Sequence, residues 1–420
     1  MPRPERGIPW LVVAGVLVAA LSLRGPIVAP TPVLRLIEDD LDIGAAAAGL
    51  LTTAPVLMFA LLTPVAALVI RRAGAEVALL LSLSGVLVGT FIRALPGFGW
   101  MLAGMLVIGA SITIGNVVIP VIIRRDVPPE RVGLVTGAYV ATLNAGSLIT
   151  SLLTAPLAAA IGWQFALLAW SALTIGGIAL WSIHLSRSRR VAGGDERYSG
   201  DRPVTRSVAL NLDPETVTGP LPVVGRRSDR SILRRPVTWL LVASFGTQTL
   251  MYYGLSTWLP TIASDELGLG ATSAGALASL YQGFGIAGAL LIPVLARFTA
   301  RLVPALVVCA SWLILTLGLV FAPEQLALWL SIGAIGHAGG FVVIFTTLVA
   351  VARTDAEAAG MSALVQGVGY GIGAFGAPML GALHQVSGGW TIGLATILAV
   401  SLVYCAVLLL ATAASGRATR

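Results

Sequence analysis

Residues 302–322 read LVPALVVCASWLILTLGLVFA, an apolar run without a charge. A helix needs roughly 20 such residues to cross the hydrocarbon core of a bilayer. The pattern recurs along the whole chain: 57% of the 420 residues are hydrophobic, 11% are charged, and the mean hydropathy is +0.92. Soluble domains carry about 25% charged residues. The composition therefore predicts a polytopic membrane protein and excludes a disordered chain and a nucleic-acid-binding domain.

Apolar runs bounded by charges and by Pro or Gly predict twelve transmembrane helices. Their approximate bounds are 9–36, 43–70, 77–95, 99–123, 132–160, 163–184, 236–262, 271–296, 302–322, 325–351, 357–384 and 389–412. A polar stretch rich in Arg, Ser, Pro and Asp separates the sixth helix from the seventh. We therefore expect an all-α membrane protein with a six-helix bundle at 1–184, a central loop at 185–235, a second six-helix bundle at 236–412 and a tail at 413–420.

The basic residues are all arginine, and their distribution predicts the orientation of the chain in the membrane. With both termini and the central loop in the cytoplasm, 23 of the 26 arginines lie on the cytoplasmic side. The other three are Arg24, Arg35 and Arg93, of which the last two fall near outward helix ends, where a long side chain can snorkel to water. We expect a multi-pass protein of the bacterial cytoplasmic (inner) membrane, in contact with the lipid bilayer and monomeric.

The two halves of the sequence repeat each other. Positions 40–44 (DLDIG) align with 266–270 (ELGLG), and the same offset aligns Arg71 with Arg297. Two pseudo-symmetric bundles related by a parallel repeat are the architecture of secondary transporters, whose binding site lies between the halves near the bilayer midplane. The repeat therefore predicts transport by alternating access.

Two other classes of protein fit the sequence less well. An enzyme needs a nucleophile–base pair or a metal cluster, and we identify neither at the membrane, so we predict no enzymatic activity, no cofactor and no metal site. A non-transporting membrane sensor is the remote alternative. The central loop at 185–235 is too polar to form the folded domain that a sensor needs.

Arg24 is the strongest candidate for a functional residue. It lies about midway along the first predicted helix, whereas all 19 acidic residues fall in loops, termini or helix ends. An arginine at the bilayer centre must face a cavity or polar partners. The guanidinium, a planar group with five donors, suits carboxylate-like or small oxyanion ligands. We expect Arg24 to anchor a substrate anion; the alternative is a structural brace of the helix bend at Pro26 and Pro30.

Polar side chains of other helices are predicted at a similar depth. Gln248 and Tyr252 are four residues apart and share one face of the seventh helix. The predicted lining of a polar cavity consists of Arg24, Asn116, Asn144, Gln248, Tyr252, Tyr253, Tyr281, Gln282, His337, Gln366 and Tyr370. Each of these residues taken alone is as well explained by hydrogen bonding between helices. As a set that converges from seven helices, they favour a binding cavity.

His337 and the charges at the cytoplasmic helix ends have further predicted roles. His337 is the one side chain near mid-membrane that titrates close to neutral pH, so it is a candidate either for hydrogen bonding to the substrate or for proton coupling. Charge pairs near the cytoplasm are predicted to lock the inward side shut. The residues of this predicted gate are Arg71, Arg72, Arg124, Arg125, Asp126, Glu130, Arg131 and Arg297.

Several stretches resemble one transporter family. They include 23–26 (LRGP), 118–125 (VIPVIIRR), 245–248 (FGTQ), 280–282 (LYQ) and 362–370 (SALVQGVGY). The chain resembles the major facilitator superfamily and, within it, the branch of cyanate permeases and 2-nitroimidazole transporters. The family often has Asn where this chain has Ser22, and Gln where it has His337.

The resemblance also implies the class of solute that the protein transports. We expect secondary active transport of a small anionic or polar solute, cyanate-like or another weak-acid anion, with protons as an optional coupling ion. The alternative is efflux of neutral nitroimidazole-like aromatic compounds, with Tyr252 and Tyr253 stacking on the ring. A cation exporter is disfavoured, because such proteins typically bind the cation with a buried carboxylate and none is predicted here.

Overall fold

The computed structural model describes residues 10–195, 230–353 and 355–418, and within them the chain is helical with no β-strand. The helices of the first half are α1 (Trp10–Val28), α2 (Leu34–Leu41), α3 (Ala45–Ala73), α4 (Ala75–Ile92), α5 (Phe98–Asp126), α6 (Pro129–Ile161), α7 (Trp163–Ala169) and α8 (Ser171–Asp195). Those of the second half are α9 (Arg230–Arg234), α10 (Pro236–Leu267), α11 (Ala271–Phe298), α12 (Leu302–Phe321), α13 (Leu326–Val351), α14 (Asp355–Gly373), α15 (Gly376–Ser387) and α16 (Thr391–Ala418). Short 3-10 turns lie at Thr31–Val33 and Pro323–Gln325.

The predicted twelve-helix membrane fold is confirmed. Eleven segments of the described chain are long and apolar enough to cross a bilayer. The twelfth, α10, has the necessary length with 32 residues but carries a run of polar side chains that includes Gln248 and Thr249. Most of the central loop (196–229) and the end of the tail (419–420) lie outside the described residues, and the domain boundaries stay predictions.

Three of the predicted spans are broken into two helices. The first span breaks after Val28, because Pro26 and Pro30 lack the N–H that would continue the helical hydrogen bonds. The sixth breaks at Trp170, between α7 and α8, and the eleventh breaks between Gly373 and Gly376. Each break frees backbone groups that must find other partners inside the membrane.

The internal repeat is also present in the packing of the helices. In the first half α5 packs against α3 and α4, and in the second half α13 packs against the corresponding α11 and α12. The pair of α1 and α6 likewise recurs as the pair of α10 and α14. Each half has its own core of buried apolar side chains, centred on residues such as Leu83 and Ile112 in the first and Trp312 and Ile344 in the second.

The two halves are joined on one side of the membrane. We call this side the acidic face and the opposite side the basic face. The acidic face is formed by the helix ends near residues 35–45, 92–98, 161–163, 265–271, 321–326 and 385–391. Here α3 packs on α15 and α6 packs on α11. Arg35 forms an ion pair with Asp265, and the hydroxyls of Thr52 and Thr257 are 2.8 Å apart, a little deeper in the membrane. The structure is therefore closed at the acidic face.

Candidate functional site

Arg24 lies just before the bend of α1, near the middle of the first membrane span. Its Nη2 donates a hydrogen bond to the hydroxyl of Tyr252 (3.3 Å), and its Cζ is 6.0 Å from the centroid of that ring. The phenols of Tyr139, Tyr253 and Tyr370 lie within electrostatic range of the guanidinium. Among the described side chains, no carboxylate lies within ion-pairing distance of it. The neighbours of the cation are phenols and not acids.

Tyr252 on α10 is the centre of an aromatic cluster contributed by three helices. Its ring stacks on His337 with centroids 3.9 Å apart and an interplanar angle of 8°, and it is T-shaped to Tyr253 at 5.0 Å. Tyr281 lies 6.1 Å away on the far side of the cluster. The Tyr252 hydroxyl also exchanges hydrogen bonds with the side-chain amide of Gln282, at 3.2 and 3.3 Å. One phenol thus connects Arg24 of the first half to α11 and α13 of the second.

A small cavity of about 20 Å³ opens between Arg24 and this cluster. Its lining comes from both halves: Arg24, Ile27, Val28, Thr31, Thr52, Tyr252, Tyr253, Ser256, Thr257 and Gln282. A cavity of that size holds about one water molecule. In this conformation the site is therefore collapsed around its polar groups, and a larger solute needs the halves to move.

Four of the predicted site residues line the cavity: Arg24, Tyr252, Tyr253 and Gln282. Two more, His337 and Tyr281, are in the second layer, stacked on Tyr252. Tyr370 bridges the halves instead, with its ring 5.7 Å from Phe59 and 5.2 Å from Phe245.

The remaining predicted site residues lie away from the cavity. Gln248 donates to the His337 carbonyl (3.0 Å) and accepts from the Tyr404 hydroxyl (2.8 Å). Gln366 donates to Ser362 on its own helix (2.9 Å). Asn116 and Asn144 are partly buried outside the lining. In this conformation Gln248 and Gln366 bond to the protein itself.

We expect Gln248→Leu to lower the free energy of unfolding by about 1–3 kcal/mol, because it leaves the buried hydroxyl of Tyr404 without its acceptor and removes the link from α10 to the His337 carbonyl. Chemical unfolding in detergent micelles measures this loss. Tyr404→Phe is the matched control: since the two side chains share a bond, its cost should shrink in the Gln248→Leu background. A Gln248→Leu protein with unchanged stability but weaker ligand binding contradicts this structural role.

Sequence reasoning missed the hydroxyl groups that line the cavity between the halves. The repeat contains a signal for them, because the offset that aligns Arg71 with Arg297 also aligns Thr31 with Thr257, and both threonines line the cavity. Tyr139 of α6 lies within electrostatic range of Arg24, whereas the residue predicted on that helix is Asn144. The expectation that Arg93 snorkels to water is wrong, because its side chain is fully buried and bonded to backbone carbonyls.

The predicted gate at the basic face is described only in part. Arg125 pairs with Glu76 (2.6 Å) and Asp126 (2.7 Å), both in its own half. The hydrogen bond to the Asp126 carboxylate raises the pKa of the Arg125 guanidinium above its usual range. Arg72 and Arg297 are exposed. The side chains of Arg71, Arg124, Glu130 and Arg131 lie outside the described ones, and the gate stays a prediction.

Comparison with known proteins extends these observations. The sequence model of the family described as Major Facilitator Superfamily matches residues 12–374. A 2-nitroimidazole transporter of Escherichia coli (strain K12) is 32% identical over 397 residues, which cover 93% of either chain. A cyanate transport protein of the same organism is 26% identical, covering 88% of this chain and 89% of the relative.

Solved structures show a similar fold. A bacterial homologue of the human lysosomal transporter Spinster, in an inward-facing and unoccupied conformation, superposes with a TM-score of 0.71 over 97% of this chain and 98% of its own. The sequence identity is 16%, so this likeness concerns the fold alone.

Proposed function

Because the chain belongs to the Major Facilitator Superfamily, and is therefore a membrane transporter rather than an enzyme, we propose that it carries a small anionic or polar solute by alternating access with Arg24 as the charge anchor. The observation that carries the proposal is the guanidinium of Arg24 near mid-membrane, with phenols around it and no carboxylate among its described neighbours. A cation in such surroundings attracts an anion strongly, because little solvent screens it.

The donors around the cavity support this class of solute. Arg24 and the Gln282 amide both reach the Tyr252 hydroxyl, which occupies the place where an acceptor oxygen of a ligand would bind. An oxyanion or carboxylate that displaces the phenol would receive hydrogen bonds from both halves at once. Charge-assisted bonds of this kind are about twice as strong as neutral ones. Binding in that place would draw the halves together around the solute.

The packing between the halves supports alternating access. The acidic face is closed by Arg35, Asp265 and the contact of α3 with α15. The arginine bias favours a cytoplasmic basic face, and with that orientation this conformation is closed toward the outside of the inner membrane. Rocking of one half against the other around the cavity would open the acidic face.

The aromatic cluster supports a second candidate function, the efflux of neutral nitroimidazole-like compounds. The rings of Tyr252 and Tyr253 border the cavity, and a relative of this chain is a 2-nitroimidazole transporter. A nitro group has two acceptor oxygens for Arg24 without a net charge. Coupling to protons through His337, whose ring stacks on Tyr252, is compatible with either solute.

A thermal-shift panel on the purified protein tests the proposal, with cyanate and acetate as anions, 2-nitroimidazole as the neutral aromatic and tetraphenylphosphonium as the cation. A ligand at 100 times its Kd stabilises the native state by about 2.7 kcal/mol, so an anion that binds raises the unfolding temperature measurably. Stabilisation by 2-nitroimidazole alone selects the second candidate. Stabilisation by the cation alone contradicts both. Uptake of the stabilising solute into proteoliposomes then shows whether binding leads to transport.

A further inference from the structure

Arg93 is a second arginine inside the first half, away from the cavity. It follows the last residue of α4, and its side chain is fully buried. Nη1 donates to the carbonyl of Pro26 (2.7 Å) and Nη2 to that of Leu167 (3.1 Å). In the described part of the chain no acidic side chain forms an ion pair with it. Nη1 also lies 3.7 Å from the sulfur of Met105, a weak acceptor, so its oxygen partners are the two backbone carbonyls.

The carbonyl of Pro26 needs a partner for a reason that the sequence supplies. In an α-helix the carbonyl of residue i accepts from the N–H of residue i+4. The bond from Ala29 to Gly25 is intact at 2.8 Å, but the next donor would be residue 30, which is proline. Pro30 still has helical backbone angles (φ −65°, ψ −27°), so the carbonyl points toward an N–H that does not exist. Arg93 provides the missing donor.

The position of Arg93 also explains how its charge is tolerated. Leu167 lies in the last turn of α7, just before the break at Trp170, and Pro26 lies in the last turn of α1. Together with the end of α4, three helix C-termini converge on the guanidinium. Each C-terminus carries a partial negative charge, which stabilises a nearby cation. Backbone carbonyls are a recognised partner for charged side chains within membranes.

We propose that Arg93 is a positioning residue for the binding site, which holds the bend of α1 at Pro26 and Pro30 and thereby sets the direction of Arg24. The proposal rests on the proposed function, since Arg24 is two residues before Pro26 and is the anchor there. It assigns the role of brace to Arg93 and leaves the guanidinium of Arg24 free for the solute.

Second-site rescue tests the proposal. Arg93→Met removes the donors to both carbonyls. It is expected to weaken anion binding about tenfold, because a displaced Arg24 would lose about one charge-assisted hydrogen bond to the anion. It should also lower the unfolding temperature without ligand. Pro30→Ala restores an N–H four residues after Pro26, so adding it to Arg93→Met should recover part of both losses. Arg93→Lys, which keeps a charged donor, should fall between wild type and Arg93→Met. Arg234→Ala is the control for removing an exposed arginine.

The readouts separate this proposal from the proposed function. If Pro30→Ala improves neither the unfolding temperature nor the anion affinity of Arg93→Met, the brace is refuted. If Pro30→Ala restores the unfolding temperature but not the affinity, the brace stands and its positioning role is refuted. If the wild type binds no anion, the proposed function fails, while rescue of the unfolding temperature still decides the brace. Should Arg93→Met fail to fold, recovery of folded protein by Pro30→Ala is itself the supporting result.

Discussion

Arg24→Ala is expected to abolish stabilisation by anions and to leave the unfolding temperature of the ligand-free protein unchanged or slightly higher. The affinity loss should be about 30-fold or more, because truncating one partner of a buried hydrogen-bonded charge pair costs about 2–5 kcal/mol. The stability of the ligand-free protein should not fall, because the substitution removes a buried charge that forms no ion pair with a described carboxylate. Tyr252 keeps Gln282 as a partner.

The thermal-shift panel with Arg24→Ala, Arg24→Lys and Arg234→Ala measures this prediction. Lysine keeps the charge but not the planar fork of donors, so Arg24→Lys should retain weakened binding. Arg234 is exposed and lies outside both the site and the predicted gate, so its removal should leave anion binding unchanged. Undiminished anion binding by Arg24→Ala contradicts the anchor role, and a large fall in its ligand-free unfolding temperature assigns Arg24 to the scaffold.

Gly49→Ala is expected to destabilise the conformation that is closed at the acidic face. A Cβ at this position would lie 2.7 Å from the carbonyl carbon and oxygen of Ala377, which are backbone atoms that cannot turn away. In Gly381→Ala the added Cβ would lie 2.4 Å from the carbonyl oxygen of Ala45, again a backbone atom. Overpacking of this kind costs about 1–3 kcal/mol, which changes the ratio of two conformations about 5- to 150-fold. Transport should fall while the fold persists.

The change in the ratio of the two conformations can be measured by labelling a Ser256→Cys variant that lacks Cys309 and Cys405. Ser256 lines the cavity, so a membrane-impermeant maleimide added at the acidic face should react faster in Gly49→Ala than in the parent. Gly367→Ala and Gly371→Ala are matched controls, since a Cβ there meets no atom within 4 Å. If labelling and transport are the same in Gly49→Ala and the controls, the halves do not separate at this contact.

The membrane-spanning helices could be predicted well from the sequence, because a segment needs a long apolar run to be stable in the hydrocarbon core of the bilayer. The predicted and observed bounds of α12 agree at Leu302 and differ by one residue at the other end. Arg24 could be identified because the sequence predicts no acidic residue at its depth. Depth alone says little about which way a side chain faces. For this reason the sequence predicts Gln248 in the lining of the cavity, although in the structure its side chain accepts a hydrogen bond from Tyr404.

Arg93 was misread for a related physical reason. Its place near a helix end is visible in the sequence, but the unsatisfied carbonyl that attracts it is created by Pro30, in a different helical span, and is bonded only after folding. Pro30, inside a predicted membrane span, is the readable signal. A proline there leaves the carbonyl four residues before it without its helical donor, and inside a membrane such a group must be satisfied by another part of the chain.

The small cavity beside Arg24 also bears on how the membrane stays insulated. With room for about one water molecule, it cannot by itself hold a file of water that leads past Thr52 and Thr257 to the closed acidic face. Protons that hop along hydrogen-bonded water would lack a path through this contact. A carrier that rests in this conformation is therefore expected to conserve the ion gradients of the cell.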